Sequence, residues 1–276
     1  MIERMPLVSV VIPAYGARYL KEAIESVLTD RFCDLELIVC DDCSPTDLRT
    51  AFAAYDDLRL QFFRNDRNLG PEGNWNRCLD LARGKYFKLL PHDDFLFPGA
   101  LSKQAQILEA DKEERIALAF GARLVVDAEG KPLMTRGCPH TKQGIVEASD
   151  LVRLCVRRGT NVIGEPGAVL MRTALARKIG AFDASIPYLV DLDYWVRLLE
   201  HGDAYYLDEP VASFRVSPAS WSVEIGTNQC RQFCRFIDRI RHLFRIRMGD
   251  VYVGRLMAYG NNFLRRILYS FILKPK

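Results

Sequence analysis

Leu35-Glu-Leu-Ile-Val-Cys-Asp-Asp-Cys-Ser-Pro-Thr-Asp47 is an apolar run that ends in two acids and a Ser-Pro turn. Residues 35–40 read as a buried strand, and Asp47 as the cap of a helix over 48–55. Upstream, residues 7–12 form a second apolar run, stopped by Pro13, and residues 19–28 carry Leu20, Ala23, Ile24, Val27 and Leu28 at helical spacing. Downstream, 58–63 and 86–90 read as strands, with a helix over 74–82 between them that Gly84 stops. Strand and helix alternate through the first hundred residues. That order predicts an α/β fold with a doubly wound, mostly parallel sheet, whose ligands sit where the carboxyl ends of strands open into loops. Asp41 and Asp42, Asn65 and Asn68, and Asp93 and Asp94 gather at those ends.

Beyond Pro98, which suits a first helical turn, the pattern predicts a helix over 99–110, a long strand over 116–126 and a turn over 127–132. The segment 135–168 reads as loop around one short helix, 149–156. A short strand (169–171), a helix (173–179), an amphipathic helix (191–200) and two short strands (205–207 and 211–216) follow. After Trp221 the chain turns into an Arg-rich helical tail.

The 276 residues are 49% apolar and 26% charged, ordinary for a soluble globular chain long enough to bury a core. The net charge is +3, but residues 230–276 carry eleven Lys/Arg against two Asp/Glu, leaving a mildly acidic body. Such a tail fits an anionic partner. No run approaches the ~20 apolar residues that a membrane crossing requires, and the start does not read as a secretory signal. The eight cysteines are scattered. Cys40 and Cys43 share the CxxC spacing, yet no second Cys or His pair stands at zinc-finger distance, so the thiols read as reduced and structural. These features together predict a cytoplasmic protein.

Each acidic spot admits two readings. Asp93-Asp94 follows an apolar strand, and adjacent carboxylates point in different directions, so one could hold a divalent cation while the other meets a hydroxyl. Alternatively the pair is a solvated turn with a helix cap. Asp41-Asp42 is either turn chemistry or an acceptor for a base N–H. Asp191 and Asp193 open a helix, where carboxylates favour the positive dipole end whether or not they do chemistry. Asp193 also stands i,i+4 from Arg197, which suits a structural pair. Trp195 reads as core, and Trp221 as either core or a sugar platform.

Taken in order, five segments resemble family 2 glycosyltransferases of the GT-A fold, over roughly residues 7–222. They are Val8-Ser-Val-Val-Ile-Pro-Ala-Tyr15, the run 37–47 ("IVVDDGSxD"), Asn68-Leu-Gly-Pro-Glu-Gly-Asn74 ("NxGxxxAxN"), residues 84–98 ("GxYxxxLDxDDxxxP") and Asp191-Leu-Asp-Tyr-Trp-Val-Arg197 ("DxDLWLR"). The resemblance implies an inverting transferase that moves a sugar from a nucleotide-sugar donor, UDP-linked, to a hydroxyl of a saccharide or lipid-linked saccharide in cell-surface polysaccharide synthesis. It implies Asp191 as general base, Asp94 as ligand to Mn²⁺ or Mg²⁺, and Pro13, Ala14, Tyr15, Asp42, Asn68, Asn74 and Asp93 on the nucleotide and donor. Glu165, in Gly164-Glu-Pro166, reads either as a contact to donor or acceptor hydroxyls or as a surface turn. Two departures stand out: Pro91 where the metal segment often begins with Asp, and Ser217 where many members have His.

On this reading residues 1–225 form the transferase domain, with a nucleotide-binding half to about 98 and an acceptor half from 99 to 225, and residues 226–276 form the basic helical tail. In the tail Phe233, Phe236, Ile237, Ile240, Leu243 and Phe244, and then Val253, Leu256, Met257, Leu264 and Ile267, recur at helical spacing among arginines. Such helices lie on anionic membrane surfaces, here the inner face of the cell membrane, or dock on the body, or form a homodimer seam. No nucleic-acid module appears, and nucleic acid is not an expected partner. Two rivals remain: a catalytically decayed nucleotide-sugar-binding protein, favoured by Pro91 and Ser217, and a sugar-nucleotide pyrophosphorylase, which would need a Gly-rich basic loop that residues 13–18 do not supply.

Overall fold

The computed structural model describes residues 5–16, 18–32, 34–52, 55–217 and 228–272. Four strands pair in parallel: β1 (Val8–Ala14), β2 (Leu35–Asp41), β3 (Leu60–Arg64) and β4 (Tyr86–Leu89), in the order β3-β2-β1-β4. Side chains alternate across the pleat. Val8, Val10 and Ile12 therefore join the core under α1 (Leu20–Leu28) and α4 (Ala100–Ala110), whereas Val11 joins the opposite core under α3 (Gly70–Leu81). Helix α1 buries Leu20, Ala23, Ile24 and Val27, the i, i+3, i+4, i+7 stripe of an amphipathic helix. A four-residue helix, α2 (Arg49–Phe52), follows Asp47, whose Oδ1 accepts from Arg49 N at 2.9 Å.

The sheet then continues as β4-β8-β5-β9-β7, with β6 on β5. Strand β8 (Val169–Arg172) runs antiparallel between β4 and β5 (Ile116–Val126), and β9 (Asp203–Arg215) is parallel to β5. The two short strands expected over 205–216 are one. Strand β5 runs unbroken beside both, and a register shift near Pro210 absorbs the proline without ending the pairing. Strands β6 (Pro132–Arg136) and β7 (Gly144–Val146) lie in a stretch expected to be loop, where too few apolar residues alternate to announce a strand. Helix α3 starts four residues earlier than expected, and α4 starts after Pro98, from a left-handed Gly99 with φ +77°. Helices α5 (Ala148–Arg158), α6 (Thr173–Lys178) and α7 (Val190–Leu199) complete the body.

Two helices follow in the tail: α8 (Gln229–Ile240) and α9 (Met248–Ile272). The expected boundary at 225/226 and Trp221 lie outside the described residues. Most of the first apolar stripe of the tail docks on the body, and Leu243 at its end is exposed. Phe233, Phe236, Ile237 and Ile240 are buried in the core that holds α7, because that helix leaves an apolar flank to be covered. Helix α9 packs on α5, and Gly159 (φ +61°) and Gly254 make the approach possible: a Cβ at either would meet backbone of the other helix. Asp250 locks the pair, accepting from Arg153 Nε at 2.8 Å and Arg157 Nη1 at 2.6 Å. The other side of α9 is open, with Tyr252, Leu256, Tyr259 and Phe263 each more than half exposed. Among the described residues no helix is long and apolar enough to cross a membrane.

Candidate functional site

The carboxyl end of β2 is tightly tied. Asp41 is fully buried: its Oδ1 accepts from the amide and hydroxyl of Ser44 at 2.9 and 2.5 Å, and its Oδ2 pairs with Arg64 at 2.6 Å. Asp42 Oδ1 accepts from Leu69 N at 2.8 Å and Asn65 Nδ2 at 2.9 Å, while its own amide donates to Ala14 O. The Asn65 amide also reaches Asn74 Oδ1 at 3.0 Å, and Asn74 Nδ2 donates to Cys40 O. Asn74 is thus buried and occupied within the protein. Asn68 Oδ1 accepts from Gly70 N at the start of α3. Pro13 and Ala14 are buried in β1, and Tyr15, 52% exposed, opens the loop beyond.

A second group lines a cleft beyond β4: Asp93, Asp94, Glu165 and Asp191, with Arg136, Arg215 and Arg265. Asp94 is not a helix cap. It is buried, and its Oδ1 accepts from Arg215 N of β9 at 2.8 Å, while Arg215 Nε donates to Asp93 O. Burial, with the charge of Asp93 beside it, holds the Asp94 carboxyl well above the usual carboxylate range. Asp191 stands in the first turn of α7, where its Oδ1 accepts from Leu192 N at 2.7 Å and its Oδ2 from Asn161 Nδ2 at 2.9 Å. Burial and the nearby Glu165 push its carboxyl up to about 7.

Glu165 is fixed by cations. Arg123 Nε lies 2.7 Å from its Oε2, an ion pair bent short of hydrogen-bond geometry, and Arg136 Nη1 lies 3.9 Å from its Oε1. Burial alone would raise this carboxyl, but the two arginines outweigh it and hold it below the usual value. The buried Trp195 donates to Gly164 O at 2.9 Å, locking α7 to the turn that carries Glu165. Asp193 pairs with Arg197 Nε at 3.0 Å and with Arg239 of α8 at 3.4 Å, a structural role.

Asp94 and Asp191 therefore share one cleft, and Asp42 does not line it. Asp42 lies on the same edge of the sheet, two strands away across β1, about 10 Å at ordinary strand spacing. Reading the sequence missed Asn161, Arg123, Arg136 and Arg265. Only Arg123 left a signal, a lone cation inside the apolar run 116–126.

The donor set suits a hard divalent cation. Among the described residues no three His, Cys, Asp or Glu side chains cluster as a full cage. What the cleft offers is one or two carboxylates, the arrangement in which Mg²⁺ or Mn²⁺ takes its remaining oxygens from a substrate diphosphate. The buried carboxyl of Asp94 is a group whose ionised form such a cation would stabilise.

Comparison with known proteins gives consistent results. The model of glycosyl transferase family 2 matches residues 9–161. An uncharacterized protein of Mycobacterium tuberculosis is 33% identical over 201 residues, 70% of this chain and 62% of that one; the chain thus matches about three fifths of that relative's length. Among solved structures, S. aureus TarS 1-349 in complex with UDP-GlcNAc has a TM-score of 0.65 at 18% identity, covering 86% of this chain and 66% of that one. The mannosyltransferase PcManGT of Pyrobaculum calidifontis, in complex with GDP-Man and Mn²⁺, has a TM-score of 0.64 at 15% identity, covering 99% and 77%. At these identities the structural likeness bears on the fold, which is that of the GT-A glycosyltransferases.

Proposed function

The chain belongs to glycosyl transferase family 2, and from that premise we propose that it transfers a sugar from a nucleotide-sugar donor to an acceptor hydroxyl with inversion at C1. The observation that carries the reading is the pairing of Asp191 with Asp93-Asp94 in one cleft. Asp191, held by Asn161, takes the proton of the acceptor hydroxyl as its oxygen bonds to C1. The C1–O bond to the nucleoside diphosphate breaks on the opposite face, which inverts the configuration. A carboxyl near 7 is a stronger base than an ordinary aspartate, so its burial serves the chemistry.

Asp94, with Asp93 beside it, would hold Mn²⁺ or Mg²⁺; the cation, when bound, neutralises charge on the departing diphosphate. Asp42 accepts from the base, beside the exposed Tyr15 and Asn68, with Pro13, Ala14 and Asn74 buried behind them as support. Glu165, pinned by Arg123, faces donor or acceptor hydroxyls. A UDP-linked donor is supported by the UDP-GlcNAc complex of TarS, and GDP by the GDP-Man complex of the mannosyltransferase. The acceptor is a saccharide or lipid-linked saccharide of cell-surface polysaccharide synthesis. The open apolar side of α9 supports peripheral contact with an anionic membrane on the cytoplasmic side, or a homodimer seam.

Pro91 and the thin donor set favour one competitor, a binding protein descended from a transferase. Family membership sets the pyrophosphorylase reading aside. Hydrolysis of nucleotide sugars with Mn²⁺ and with EDTA, in wild type and Asp191→Asn, separates the two. Metal-dependent turnover that Asp191→Asn removes while nucleotide binding persists is the expected result. Binding without turnover in the wild type establishes the competitor.

A further inference from the structure

Next to the cleft that holds Asp191 and Asp93-Asp94 lies a second cavity of about 320 Å³, the lower end of the range for small-ligand sites, which neither Asp93 nor Asp94 lines. Arg136, Thr160 and Asn161 belong to both spaces. Asn161 is the residue that holds the proposed base, so whatever enters this cavity lies one side chain away from Asp191.

The lining of the cavity is cationic. Arg123, Arg136 and Arg158 line it, and no acid does. Arg123 is fully engaged, with its Nη atoms on the carbonyls of Val162 and Asn161 and its Nε on Glu165. Arg136 has only the long 3.9 Å approach to that same Glu165. Arg158 is half-buried, and among the described residues its guanidinium has no hydrogen bond or ion pair. Burial and the charges of Arg123 and Arg265 also weaken the hold of Arg136 on its proton. Two guanidinium forks around a hydroxyl, short of negative charge, form a receptor for a tetrahedral oxyanion.

We propose that this cavity seats a phosphoryl group of the acceptor, and that Arg136, Arg158 and Thr160 select an acceptor carrying a phosphate ester close to the hydroxyl that attacks. The inference rests on the transferase reading and narrows its acceptor class. The diphosphate of the donor is the other source of the same chemistry. Its place is at Asp93-Asp94, which line the first cleft and not this cavity.

The test is calorimetric titration of inorganic phosphate into the whole protein saturated with Mn²⁺ and UDP or GDP, whichever raises the melting temperature. Phosphate is expected to bind this complex. Arg158→Gln is expected to weaken it on the order of ten-fold, the loss of one charge-assisted hydrogen bond, with Arg158→Lys retaining most of the affinity. Arg136→Gln should act likewise; if that variant fails to fold, the more exposed Arg158 decides the matter. Failure of phosphate to bind once the nucleotide site is filled, or unchanged affinity in Arg158→Gln, overturns the proposal. Nucleotide-sugar turnover measured on the same wild-type sample reports separately on the transferase reading, since phosphate binding needs no transfer.

Discussion

Two groups of carboxylates stand at one edge of one sheet, and they are built on opposite terms. Around Asp41 and Asp42 the charge is met by the ion pair of Asp41 with the half-buried Arg64 and by amide and hydroxyl donors. Asp94 is buried just as deeply and Asp191 is half-buried, yet each accepts only from neutral donors, and neither has an ion pair among the described residues. The first arrangement is what a stable fold requires. The second leaves charge for something else to balance, and such imbalance is characteristic of sites that handle protons and cations.

The widest separation between the two groups should appear in catalysis. Asp191→Asn removes the proton acceptor, and turnover should fall about 10³-fold, within the range for losing a general base, with nucleotide affinity intact. Steady-state rates beside direct nucleotide titration check this; a variant retaining a tenth of the activity would place the base elsewhere. Stability should separate them next, and with opposite signs. Asp41→Ala strands the buried hydroxyl of Ser44 and the half-buried guanidinium of Arg64 and should lower stability by about 2 kcal/mol, whereas Asp94→Asn relieves a buried charge and should raise the urea midpoint near pH 8. Losses in both variants would erase the distinction.

pH sharpens the contrast further. The Asp191 carboxyl sits at about 7 in the fold against an ordinary value of 3.8, so between those limits the folded state holds the proton more tightly than the unfolded chain. Its stabilising effect therefore declines as pH rises through this window and is gone above about 7. The Asp191→Asn variant should gain on wild type in melting temperature from pH 5 to pH 8. Activity, which needs the ionised base, should rise over the same interval with an apparent pKa near 7; a profile flat from pH 5 to 8 would count against this base. The smallest effect belongs to the wall that α9 supplies. Gly159→Ala places a side chain at φ +61° against α9 and should lower stability by ~1 kcal/mol or more by thermal melt.

Much of the first group was legible from sequence, because alternation of strand and helix fixes where strand ends fall, and acids at those ends stand out. Asp191 was legible only through its motif, since two acids in a first helical turn look alike whether they cap or catalyse. The cations were hidden. Arg136 lies on the short strand β6, and Arg265 comes from 74 positions beyond Asp191 on α9, where an arginine among apolar residues looks like a solvated face. The tail was ambiguous for a related reason: a helical apolar stripe declares that it is covered, not by what. In α8 the cover is the core around α7; in α9 only one flank is covered, and no local pattern separates the two.

Lys88 gives the cleft its mechanics. It is wholly buried on β4, its Nζ donates to Gly167 O at 2.8 Å and Val169 O at 3.1 Å, and burial lowers its ammonium pKa to about 7. One amine thus rivets the strand leading to Asp93-Asp94 onto the turn just after Glu165. Those two sides travel as a single rigid jaw, and prising them apart would strand an amine and two carbonyls away from water. Room for a bulky sugar has to come from a flank that lacks such a rivet, so the give in this chamber lies towards β6, which among the described residues pairs with β5 alone.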